Sequence, residues 1–152
     1  MDIIIGSDHG GFSLKEELKA FLLKEGFKVS DYGTYSADPV DYPDIAFLVA
    51  EKVGKDGKSV GIIIDGAGMG SAITANKVPG IRAAACYDTV AAKNSRAHND
   101  ANILTLGSRI TGAGLAQEIV RTWLCTPFEG GRHAARVRKI ESVEKRFLRE
   151  KE

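Results

Sequence analysis

Only two cysteines occur among the 152 residues, Cys86 and Cys125, and they stand 39 positions apart with no Cys-x-x-Cys spacing. In a reducing compartment they read as small hydrophobes, so neither a disulfide nor a cysteine metal centre is expected. Long hydrophobic runs are lacking too. No stretch approaches the ~20 apolar residues of a membrane span, and the start, Met1-Asp2-Ile3-Ile4-Ile5-Gly6, has no cationic region and too short an apolar run for a signal peptide. Neither sign of charge is in excess: 21 basic and 20 acidic residues leave a net +1. No broad field draws in nucleic acid or an anionic membrane, and a cytoplasmic protein is expected. There is no internal repeat, low-complexity tract or Pro/Gly/Ser linker, so residues 1–152 are expected to form one domain, long enough to bury roughly 70% of the unfolded surface.

What is present is an alternation. Five short apolar runs, Ile3 to Gly6, Phe27 to Tyr32, Val60 to Ile64, Ile81 to Cys86 and Ile103 to Gly107, are mostly continuous, which is the pattern of strands covered on both faces. Between them lie helical stripes: Leu14, Leu18, Phe21 and Leu22; then Ile45, Ala46, Val49 and Val53, starting near Pro43; then Leu115, Ala116, Ile119, Val120, Trp123 and Leu124. A last helix is expected from about His133, with Val137, Ile140, Val143 and Phe147 inward. The expected fold is α/β and doubly wound, a five-stranded, mainly parallel sheet with helices on both faces and a ligand site beyond the carboxyl ends of its strands.

Uncommon polar residues gather at those ends. The run Ile62-Ile63-Ile64 stops on Asp65 and is followed by Gly66, Ala67, Gly68, Met69, Gly70 and Ser71. A partly desolvated carboxylate beside open backbone N–H groups suits removal of a proton from carbon and stabilisation of the resulting oxyanion. Two other readings stand beside this one. The loop nearly matches the dinucleotide fingerprint G-x-G-x-x-G, but it ends on Ser71 and follows the third strand rather than the first. It also suits a purely structural turn in which Asp65 caps a helix.

Near other junctions stand Asp8 and His9, the run Arg96-Ala97-His98-Asn99-Asp100, Gly107-Ser108-Arg109, and Glu129-Gly130-Gly131-Arg132-His133, with Arg136 one turn further. Arg132, His133 and Arg136 would occupy the first turns of a helix, where cations are disfavoured by ~0.3 to 1 kcal/mol each. A bound phosphate would offset that, accepting free N–H groups while two arginines at i and i+4 supply charged forks. Metal binding is not expected, because His9, His98 and His133 are far apart in sequence without ligand spacing.

These residues fall in blocks. Ser7-Asp8-His9-Gly10-Gly11, Asp41-Tyr42-Pro43, Ala75-Asn76-Lys77-Val78-Pro79-Gly80-Ile81-Arg82-Ala83, Ser95 to Asn102, Gly107-Ser108-Arg109 and Glu129 to His133 closely resemble the type B ribose-5-phosphate isomerases, grouped with the galactose-6-phosphate isomerase subunits. The resemblance runs from Ile3 to about Phe147. It implies a Rossmann-like fold, a homodimer or a larger assembly of dimers with active sites shared between subunits, a phosphorylated sugar as substrate, and aldose–ketose isomerisation through an enediolate without cofactor or metal. Carried over by position, His98 would open the furanose ring, Asp8 and Asn99 would hold sugar hydroxyls, and Tyr42 would line the pocket. His9, Arg109, Arg132 and Arg136 would surround the phosphate, and the amides from Gly66 to Ser71 would stabilise the enediolate.

The chain departs from the family pattern at its chemical centre. Many members have a catalytic cysteine where this chain has Asp65 and a threonine where it has Ala67, and another branch has a glutamate base where it has Ser71. Either Asp65 is the base, or the chain binds a sugar phosphate without isomerising it. Ribose 5-phosphate and ribulose 5-phosphate are the expected pair, other sugar phosphates being the alternative.

Overall fold

A computed structural model describes residues 1–148. Its strands are β1 (Asp2–Ser7), β2 (Lys28–Asp31), β3 (Val60–Asp65), β4 (Ala83–Ala85) and β5 (Ile103–Gly107). Its helices are α1 (Phe12–Lys24), α2 (Tyr42–Asp56), α3 (Met69–Ala75), α4 (Thr89–Ala97), α5 (Ala113–Cys125) and α6 (Arg132–Phe147). The sheet order is β2-β1-β3-β5-β4 with every pairing parallel, in the α/β doubly wound arrangement expected.

The continuous apolar runs follow from burial on both faces. Ile3, Ile5, Ile62, Ile64, Leu104 and Leu106 face α1 and α5, whose Leu18, Leu22, Ile119, Val120 and Trp123 close one core. Ile4, Ile63 and Ile103 point the other way, against Ala46, Val49, Ala50 and Val53 of α2 and Ala75 of α3. Period-two alternation thus persists inside a uniformly apolar run. Pro43 stands in the first turn of α2, where its missing N–H costs nothing, and Gly57 ends that helix in the left-handed region.

Three features differ from the sequence expectation. β4 has only three residues, because the N–H of Arg82 is taken by the side chain of Asn102 at 2.8 Å. Leu115 of α5 is exposed, lying outside the stripe that meets the sheet. Most distinct is α6: of the four positions expected inward only Val137 is buried, whereas Ile140, Val143 and Phe147 are 47%, 53% and 82% exposed. These three side chains line an open groove of about 910 Å³ shared with Pro79, Ile81 and Ala83, so the helical period is correct but among the described residues no second layer covers the stripe.

One buried charge ties the first βαβ unit together. Lys15 of α1 has no exposed surface; its Nζ donates to Asp31 Oδ1 and Oδ2 at 2.7 and 2.8 Å and to the Thr34 carbonyl at 2.6 Å. Lys19 joins Asp31 at 2.9 Å. Thr34 in turn donates its N–H to the Ser7 carbonyl at 2.8 Å, so the network fixes the end of β1 just before Asp8.

Candidate active site

β1 runs on to β2 at one side of the sheet and β3 to β4 at the other, so the topological switch falls between β1 and β3, and the crevice that such a sheet offers a ligand is expected beyond their carboxyl ends. Asp8 and the Asp65 loop lie at this crevice. The Asp8 N–H reaches the Ile64 carbonyl at 3.2 Å, and its Oδ1 accepts the Gly11 N–H at 2.9 Å. Glycine is needed at Gly11 because a Cβ there would collide with the Ile64 carbonyl.

The loop after β3 wraps around its own acid. Asp65 is 4% exposed; Oδ1 accepts the Gly68 N–H, and Oδ2 accepts the Ser71 N–H at 3.0 Å and the Ser71 hydroxyl at 2.7 Å. This is a capping arrangement at the start of α3, the structural alternative raised by the sequence. It does not exhaust the carboxylate, which has about four acceptor sites against three donors. It does consume the amides of Gly68 and Ser71, leaving those of Met69 and Gly70, the first two of α3, without intrahelical partners.

Neighbours hold this loop in place. Arg109 lies over Gly66 and donates its N–H to the Gly66 carbonyl at 3.0 Å. The Tyr42 ring packs so closely on Gly70 that any Cβ would strike it. Thr105 and Tyr87 donate to the carbonyls of Gly68 and Ala67 at 2.7 and 2.5 Å, and Ser108 bonds the Gly10 carbonyl at 2.8 Å. Burial, with Asp65 nearby, raises the pKa of Tyr87, so its phenol stays a donor. Tyr87 and Thr105 carried no sequence signal, since Tyr87 reaches the loop from beyond the end of β4 and Thr105 from the middle of β5. His9 is exposed, its Nδ1 3.2 Å from the Val40 carbonyl. Asp8, His9, Tyr42, residues 66–71 and Arg109 therefore form one group.

His98, Asn99, Arg132 and Arg136 form another. α4 runs back across the sheet, so His98, its C-cap, precedes the start of β5, whereas Asp65 pairs with Gly107 at the end of that strand. The four residue steps from Ile103 to Gly107 place these levels about 13 Å apart. Within one chain Asp65 and His98 do not meet.

In the second group the His98 ring stacks on His133, centroids 4.0 Å apart and planes within 7°. Glu129 Oε2 lies 3.8 Å from His98 Nε2 and 3.5 Å from His133 Nε2. Asn94 Nδ2 lies 3.0 Å from His98 Nδ1. Burial, reinforced by His98 and Arg132, lowers the pKa of His133, which favours the neutral ring at neutral pH. Gly130 and Gly131, both at positive φ, turn the chain into α6, where Arg132 and Arg136 stand exposed. Asn99 is also exposed; its Nδ2 lies 3.4 Å from Asn94 Oδ1. Folding therefore unites two of the three histidines with a carboxylate, a grouping that sequence spacing did not suggest.

A family model described as Ribose/Galactose Isomerase matches residues 3–140. Ribose-5-phosphate isomerase B of Escherichia coli is 46% identical over 144 residues, covering 95% of this chain and 97% of that protein. D-erythrulose-4-phosphate isomerase of Pectobacterium atrosepticum is 43% identical over 145 residues, covering 92% and 93%. The solved structure of Clostridium thermocellum ribose-5-phosphate isomerase B superposes with a TM-score of 0.95 at 54% identity, covering 97% of this chain and all of that one. By sequence along nearly its whole length and by fold, the chain belongs to the ribose/galactose isomerase family.

Proposed function

We propose that this enzyme interconverts ribose 5-phosphate and ribulose 5-phosphate through an enediolate, in a site completed by two copies of the chain. The observation that carries the reading is the division of its polar groups. A loop carboxylate with adjacent helix-start amides lies at one end of the sheet, and a histidine pair with two exposed arginines lies at the other. A second copy presenting its His98 end to the crevice would unite them. The furanose opens as the C1 hydroxyl loses its proton to water, the bond from C1 to the ring oxygen breaks, and His98 supplies the proton that the ring oxygen gains. Asp8 and Asn99 hold hydroxyls, Tyr42 lines the pocket, and His9, Arg109, Arg132 and Arg136 take the phosphate.

Asp65, through its remaining acceptor site, removes the C2 proton. The C–H electron pair becomes the C1=C2 bond of the enediolate, and charge accumulates on the C1 oxygen facing the amides of Met69 and Gly70. The C2-hydroxyl proton passes to the C1 oxygen, and as the C2 oxygen forms the carbonyl the C1=C2 electron pair takes the abstracted proton from Asp65 at C1, which gives the ketose. Neither metal nor cofactor is required by these steps.

A second reading is favoured by the three donors on Asp65: the carboxylate only shapes the loop, and the chain binds sugar phosphates without turning them over. Sugar length is open to the same test, since one relative carries the name of a four-carbon phosphate isomerase. NMR in deuterated water across four-, five- and six-carbon sugar phosphates separates these readings. Interconversion with deuterium at C1 of the five-carbon ketose supports the proposal. Tight binding with no exchange in any sugar supports the second reading.

A further inference from the structure

We propose that His98, Glu129 and His133 form a three-ligand site for a borderline divalent cation, with Zn²⁺ as its probe. Their ligand atoms all lie within 4.8 Å of one another. Two imidazoles and one carboxylate are a donor set suited to zinc, cobalt, nickel or copper rather than to magnesium or calcium. Tetrahedral bonds of ~2.0 to 2.1 Å place neighbouring ligand atoms ~3.3 Å apart. Glu129 Oε2 stands 3.5 Å from one ring nitrogen and 3.8 Å from the other, so contraction by a few tenths of an ångström brings it to bonding geometry.

The stacked rings must also fan apart so that their in-plane lone pairs converge. His133 is held, with a side chain 7% exposed, but that of His98 is 40% exposed and has room to swing. The backbone already fixes the approach of the two segments. Glu129 donates its N–H to the Ala97 carbonyl at 3.0 Å, beside His98, and His133 donates to the Gly130 carbonyl at 3.0 Å. Asn94 supplies an outer partner: with its amide turned so that oxygen faces His98 Nδ1, that nitrogen carries the proton and Nε2 is free for the ion.

Three protein ligands leave a fourth position for water or an anion. Arg132 and Arg136 on the same helix start oppose the cation and weaken its binding. The ion would occupy Nε2 of His98, the residue that the proposed reaction uses for ring opening, so inhibition by zinc rests on that reaction, whereas binding does not.

The test uses untagged full-length protein in a Cys125→Ser background, which removes the exposed thiol as a competing ligand. Calorimetric titration with Zn²⁺ should give one ion per chain, and Co²⁺ should develop the intense visible bands of a four-coordinate site. Glu129→Gln and His133→Asn, each with unchanged circular dichroism, should weaken binding at least about tenfold, and Glu51→Gln, an acid of α2 paired with Lys55, should leave it unchanged. No stoichiometric binding, or equal affinity in both ligand variants, overturns the site. The titration contains no sugar, so zinc bound by a chain that isomerises nothing would overturn the proposed reaction and leave the site standing.

Discussion

Asp65 and Ser71 are joined twice, through the Ser71 N–H at 3.0 Å and its hydroxyl at 2.7 Å, both on the same carboxylate oxygen. The acid that ends β3 is therefore also the anchor of the loop that follows. Removing the hydroxyl in Ser71→Ala deletes one buried, charge-assisted bond. Stability should fall by about 1.5 to 3 kcal/mol, read as a lower urea midpoint at unchanged slope. An unchanged midpoint would mean that the hydroxyl is not holding the carboxylate.

Arg132→Ala and Arg136→Ala test the anion site. A phosphate is held equally in ground and transition states, so the loss should appear in KM rather than kcat, at about 1.5 to 3 kcal/mol per charged contact. Normal KM in both variants would place the phosphate elsewhere.

The shared site has a quantitative signature. Asp65→Asn and His98→Asn should each be at least about 10²-fold slower alone. Co-refolded in equal amounts, half the dimers are mixed, and each mixed dimer has one site with Asp65 and His98 both intact. About one quarter of wild-type activity should return. Recovery of none, with mixed dimers demonstrated, would contradict a site built from two chains.

Acid stability should depend on Asp31. Burial alone would raise its pKa, but the hydrogen bonds from Lys15 and Lys19 and the Gly33 N–H outweigh it and hold the folded value below the ordinary 3.8. A depressed folded pKa contributes stability that is complete above the unfolded value and is lost as pH falls through the folded one. Unfolding monitored from pH 6 downward should show this loss starting below about pH 4. Lys15→Met should cost up to about 3 kcal/mol at neutral pH and flatten the acid limb, Lys19 still partnering the carboxylate. An acid limb identical to wild type would remove Asp31 from the account.

The sheet was legible because its signal is local. Ile3-Ile4-Ile5 and Ile62-Ile63-Ile64 are apolar on both faces, the pattern of strands covered on both sides, and Pro43 marked the start of α2. The stripe Ile140, Val143 and Phe147 carried correct periodicity but no information about what covers it. The burial of Lys15 carried no sequence signal, because its partner Asp31 lies in β2 and no local pattern joins the two. Much of the candidate site was legible as strand and helix ends. The Asp65 cap was visible in outline, since its acceptors serve positions three and six residues on. The stack of His98 on His133 was not, because it depends on the Gly130-Gly131 turn bringing α6 back to α4.

The most direct measurement is the rate of deuterium incorporation at C1 of ribulose 5-phosphate, in deuterated water, by wild type and by Asp65→Asn. The variant keeps the shape of the side chain but loses the basic carboxylate. Wild type should label and convert the sugar, while Asp65→Asn should be about 10²- to 10⁴-fold slower and still bind it. Equal rates in the two proteins, with the fold of the variant intact, would contradict Asp65 as the base.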